Sequence, residues 1–172
     1  MAAELDSMSH DEFVAALRPL FEGGDAFLGR LWAERPFGTH ERLLERAQQV
    51  AERMPRDLQR ALLDSHPRIG AETGTLSALS RAEQGAATVP SHSPVQERLA
   101  ALNAAYERRF GFHYVIRVAG RPREEIASLL EAALHEGEEA ELRRGLRDVV
   151  SIARDRLARL RESGIREREE SR

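Results

Sequence analysis

The chain has 172 residues, a formal net charge of −3 and 32% charged residues, with acidic and basic side chains interspersed. That length fits one domain with a real buried core, and the charge balance offers no face for a polyanion, so no nucleic-acid partner is expected. All 26 basic residues are arginine and there is no cysteine, which excludes a lysine Schiff base, disulfides, thiolate metal ligands and a cysteine nucleophile.

Met1 to Ser9 has no basic stretch followed by an apolar one, and no apolar run approaches the roughly 20 residues of a membrane span. The final Glu170-Ser171-Arg172 is not a peroxisomal tripeptide. A cytoplasmic protein without a membrane partner is the expectation.

Ser9 is an N-cap residue with Glu12 at the capping-box position, and Met8 can staple onto Phe13. Phe13, Leu17, Leu20 and Phe21 follow at helical spacing until Gly23-Gly24. Asp25 caps a second helix carrying Phe27, Leu28, Leu31 and Trp32, which ends before Pro36. Thr39 caps a third, with Leu43, Leu44, Ala47 and Val50 inward, and Pro55 opens a fourth that runs to about Asp64. Leu76 to Ala86 reads as one or two helical turns. Ser93-Pro94 with Gln96 starts a helix through Phe110, with Gly111 as its C-cap.

Phe112 to Val118 has β-type composition but no partner strand, so it reads as extended backbone or a helix start. Arg123 to His135 is a helix, and Gly137 breaks it. The last helix runs from about Glu138 to Glu162 with Leu142, Leu146, Val149, Val150, Ala153, Leu157 and Leu160 as its apolar stripe. An all-α single domain of about seven or eight helices over residues 1–162 is expected, followed by a charged, frayed tail over 163–172.

The stretch Ser65-His66-Pro67-Arg68-Ile69-Gly70 stands out chemically. A residue before proline is pushed out of helical geometry, so His66 sits just past a helix end with few conformations open to it. Arg68 adds a fixed cation and Gly70 permits a close turn. Such a loop suits recognition and protonation of a small anion; taken alone, a solvent-facing loop histidine is the plainer reading. Glu83-Gln84, with Ser80 one turn back, is a second polar group that is either pocket or ordinary surface.

The other histidines carry less. No two of the six lie three or four apart, so no helical zinc pair and no metal site is expected. His10 and His40 fall in first turns and His135 in a last turn, which makes all three surface residues; His92 lies in a polar loop. The arginines from Arg143 to Arg161 read as a solvated face, with one or two able to point inward toward a carboxylate or imide.

His66-Pro67-Arg68-Ile69-Gly70, Ser80-Arg81-Ala82-Glu83-Gln84, Leu102-Asn103-Ala104-Ala105-Tyr106 with Phe110-Gly111-Phe112, and Ile152-Ala153-Arg154-Asp155-Arg156-Leu157 occur in this order across most of the chain. The ordered set resembles the OHCU decarboxylases, the 2-oxo-4-hydroxy-4-carboxy-5-ureidoimidazoline decarboxylases of urate and purine degradation. The resemblance implies an all-α fold, a homodimer and cofactor-independent decarboxylation yielding S-allantoin. It places the catalytic histidine on His66 and its acidic partner on Glu83. Pro67, Ser80, Arg81, Ala82, Glu83 and Gln84 would line the substrate, and the main chain of Tyr114, Val115, Ile116, Arg117 and Val118 would offer donors and acceptors. The family's late arginine maps to Arg156, with Arg154 as the competing position. His113-Tyr114 departs from the Pro-Phe of many relatives. The rival reading is a non-enzymatic helical protein-interaction domain or an inactive homologue.

Overall fold

The computed structural model describes residues 2–71, 79–80 and 93–170. Eight helices have described bounds: α1 Ala2–Ser7, α2 His10–Leu17, α3 Asp25–Trp32, α4 His40–Arg53, α5 Arg56–Asp64, α6 Pro94–Phe110, α7 Arg123–Ala133 and α8 Glu138–Glu170. No strand occurs among the described residues, so the chain is all-α. No helix among them is long and apolar enough to cross a membrane.

Side-chain caps mark three of the helix starts. Ser9 and Glu12 form the reciprocal capping box, Thr39 accepts from the Arg42 N–H, and Ser93 accepts from that of Gln96. Two expected starts shift by one residue. Gly24, in left-handed geometry at φ 62°, takes the N-cap position of α3, so Asp25 lies inside the helix. Pro55 is the N-cap of α5 rather than its first turn. Helix α1 had no counterpart in the sequence reading. Leu5 enters the core, and the Asp6 carboxylate accepts from the backbone N–H of Phe37 (2.8 Å) and Gly38 (2.9 Å).

Helix α8 runs past the expected end near Glu162 and supplies the long apolar face against which α4 and α5 pack. Leu142, Leu146, Val149, Val150, Ala153 and Leu157 are buried, whereas Leu160 is 46% exposed and drops out of the stripe. Gly145 lets α5 approach closely, since a Cβ there would stand 3.0 Å from the Leu63 side chain. Helix α6 packs on α7. Tyr106, Phe110, Phe112 and Tyr114 form a contiguous aromatic cluster beneath the chain that leaves α6. That departing segment, residues 113–118, is neither helix nor strand, so of the two readings its composition allowed the helix start is excluded.

Candidate active site

Helix α5 ends at Asp64, and the next two residues turn His66 inward: its backbone N–H bonds the Leu63 carbonyl at 3.0 Å. The side chain is 3% exposed, so the solvent-facing reading of this histidine is overturned. Its Nδ1 lies 3.1 Å from the Leu62 carbonyl. A carbonyl only accepts, so Nδ1 carries the proton and Nε2 presents a lone pair. Nε2 is buried without a hydrogen-bond partner among the described residues. Burial pushes the pKa of His66 down to about 4; the Leu62 bond opposes this and the nearby Arg156 charge reinforces it. The imidazole is therefore neutral near pH 7.

Helix α6 holds the loop that carries this histidine. Gln96, Asn103 and Glu107, spaced by seven and then four residues, share one face of the helix. Gln96 donates to the Gly70 carbonyl, Asn103 donates to the Ile69 carbonyl at 2.9 Å, and Glu107 takes two bonds from Arg68 at 2.6 and 2.8 Å. Gly70 has φ 77°, and a Cβ there would stand 3.2 Å from Leu99. The cation two residues after His66 thus serves the loop and does not line the cavity.

That cavity, of about 540 Å3, is lined by His66, Pro67, Ser80, the whole segment Tyr114–Val118 and Arg156. Each of these was singled out in the sequence. Arg81, Ala82, Glu83 and Gln84, like His92, lie outside the described residues. Of the two late arginines, Arg156 lines the cavity and is 1% exposed, whereas Arg154 is exposed. The guanidinium of Arg156 is engaged by protein acceptors, at 2.9 Å from the Pro19 carbonyl, 3.1 Å from Ser80 Oγ and 2.8 Å from the Glu22 carboxylate. Ser80 Oγ also donates to Glu22, closing a triangle at the cavity wall.

The extended wall is fixed from behind. Arg144 donates to the Val115 carbonyl at 2.7 Å, pairs with Glu141 and Asp148, and lies over the Tyr114 ring. Burial pushes the Tyr114 phenol up to about 12. Arg117 makes a two-point pair with Asp155 of α8 at 2.6 and 3.0 Å.

Sequence reasoning missed Glu22, Arg144, Asp155 and Arg159, the last two of which also line the cavity. Glu22 left one local sign. It immediately precedes Gly23-Gly24, and it adopts left-handed geometry at φ 54° despite its side chain. Of the other described histidines, His10 and His135 are exposed, with His135 in a turn past the end of α7 rather than in its last turn, and His40 and His113 are half-buried. Among the described residues no group of three metal-ligating side chains forms.

An all-α domain with a partly enclosed cavity, a buried neutral imidazole and an arginine–carboxylate pair in the wall defines a small-molecule site with acid–base character. Residues 6–158 match the family model described as OHCU decarboxylase, and the chain belongs to that family. It is 33% identical over 156 residues to the 2-oxo-4-hydroxy-4-carboxy-5-ureidoimidazoline decarboxylase of Haloferax volcanii, covering 90% of this chain and 92% of that one. It is 32% identical over 161 residues to the protein of the same name from Mus musculus, covering 91% of this chain and 90% of that one. The fold matches a crystal structure described as OHCU decarboxylase in the presence of (S)-allantoin, with a TM-score of 0.68, 21% identity, and 84% and 96% of the two chains covered.

Proposed function

We propose that this protein decarboxylates 2-oxo-4-hydroxy-4-carboxy-5-ureidoimidazoline to S-allantoin and carbon dioxide, in urate breakdown, with His66 as the proton-transfer residue. Family membership supports the reaction, and one observation carries the role of His66: its buried Nε2 lacks a partner while its ring lines the cavity.

The substrate carries its carboxylate on the ring carbon next to a C=N bond. When the bond to the carboxylate breaks, its electron pair forms a double bond to the ureido-bearing carbon, and the former C=N nitrogen takes up a proton from solvent. The resulting enol becomes the ketone when its hydroxyl loses a proton and the ureido-bearing carbon gains one. A neutral imidazole with its Nε2 lone pair open can accept the first proton and return it to carbon. Burial disfavours the intermediate imidazolium, which promotes that return. Delivery from one side fixes the hand of the product.

The cavity wall orients the substrate. Carbonyls and N–H groups along residues 114–118 suit the edges of a ureide, and the Arg156–Ser80–Glu22 triangle supplies directed dipoles beside it. In this reading Glu83 orients the imidazole or binds the ureido group, and Gln84 meets an amide edge. The reading extends to a cytoplasmic homodimer; a monomer mass in sedimentation of the full chain would remove the dimer.

The test is circular dichroism of allantoin formed from urate, with uricase and hydroxyisourate hydrolase generating the unstable substrate in place. A rapid one-handed signal that requires this protein and disappears in His66→Ala, with the helical far-ultraviolet spectrum retained, is expected. Equal, slow, racemic conversion with and without the protein would overturn the activity. Unimpaired turnover in His66→Ala would remove His66 from the chemistry.

A further inference from the structure

We propose that His113 is a positioning residue for His66: it grips the peptide that carries the reactive imidazole and acts through that grip, without touching substrate. The proposal rests on the role given above to His66.

His66 is followed by Pro67, so its backbone is restricted on the C-terminal side and the next peptide has no N–H to anchor it. The His66 carbonyl is the backbone acceptor of the residue that carries the imidazole, so holding it limits rotation of the peptide from which the ring projects. It accepts a hydrogen bond from Nδ1 of His113 at 2.9 Å. The backbone N–H of His113 in turn bonds the Asp64 carboxylate at 2.8 Å, where α5 ends. One residue therefore ties down both sides of the turn that delivers His66.

The charged groups around His113 complete the grip. Asp64 faces it from α5, His66 comes from the loop, and Glu107 of α6 stands 3.8 Å from its Nε2. Glu107 is itself held by both bonds from Arg68, two residues after His66. The loop is thus clasped between α5, α6 and the start of the extended segment. None of His113, Asp64, Arg68 and Glu107 lines the cavity, so their effect on a reaction there passes through His66. A phenylalanine or proline at this position has no side-chain donor for the carbonyl.

The test compares the wild-type full chain with His113→Phe and His113→Asn. The asparagine Nδ2 stands where the imidazole Nδ1 does, and it donates without titrating. In His113→Phe, kcat is expected to fall roughly tenfold while KM stays within about twofold. Nitrogen-15 NMR of the His66 ring should show loss of the single Nδ1–H tautomer and titration at higher pH. His113→Asn should restore both kcat and the ring signature. If His113→Phe loses its helical spectrum, His113→Ser, too short to reach the carbonyl, replaces it.

Wild-type kcat and ring signature in the donor-less variant would overturn the proposal, as would equal impairment of the asparagine variant. If no chain turns over, the proposed reaction fails, and the ring signature alone decides: altered in the donor-less variant supports the grip, unchanged overturns it.

Discussion

The Arg156 guanidinium lies 2.8 Å from the Glu22 carboxylate, with 1% and 12% of the two side chains exposed, so the tail-end helix and the α2–α3 turn meet in a buried ion pair at the cavity wall. A buried pair adds little net stability when whole, but removal of one partner strands the other charge. Glu22→Ala is expected to cost about 3–5 kcal/mol and to lower kcat, because Arg156 and Ser80 lose their common acceptor. Glu22→Gln keeps an acceptor and should fall between. Urea unfolding with steady-state kinetics checks both; an unchanged midpoint in Glu22→Ala would contradict the pairing.

Asn103 reaches from α6 to the His66 loop, with its Nδ2 2.9 Å from both the Ile69 and Leu99 carbonyls. Replacing it by leucine leaves the Ile69 carbonyl without this donor. The expected loss is about 1–3 kcal/mol, with a fall in kcat larger than the change in KM as the loop loosens. Kinetics at a temperature well below the unfolding midpoint separates the two effects.

Arg144 governs the opposite wall. Arg144→Met retains the aliphatic stem but releases the Val115 carbonyl and leaves Glu141, itself 3% exposed, without its cation. We expect a loss of about 3–5 kcal/mol, partly recovered when Glu141→Gln is added. A double-mutant cycle measures this; strictly additive losses would show that the two side chains are not coupled.

The buried His66 makes stability depend on pH. Its pKa is lowered to about 4 in the fold from an ordinary 6.5, chiefly by burial. Between those values the unfolded chain binds the proton and the folded chain does not, so stability rises with pH. The contribution is intact above about pH 6.5, erodes as pH falls, and its loss reaches roughly 3 kcal/mol near pH 4. Urea unfolding at several pH values should give a shallower acid slope for His66→Gln than for wild type; equal slopes would place the titration elsewhere.

By itself, the sequence determined every described helix but α1, most of the core and the residues worth asking about. Caps such as Ser9, Thr39 and Ser93, the 3.6-residue apolar periodicity and the proline after His66 act within a few residues of chain, so they are legible without a fold. The family resemblance carried by the ordered motifs implied one substrate site for His66, Ser80, Tyr114–Val118 and Arg156, with Arg154 as the competing arginine. Tertiary structure decided what those groups do. That Arg156 meets Glu22, that Arg68 serves the loop through Glu107, that Arg144 holds Val115, and that His66 is buried and neutral all depend on contacts between segments far apart in the chain. An arginine looks alike in sequence whether its charge meets water or a carboxylate. Only packing sets the desolvation and the partner that give it a role.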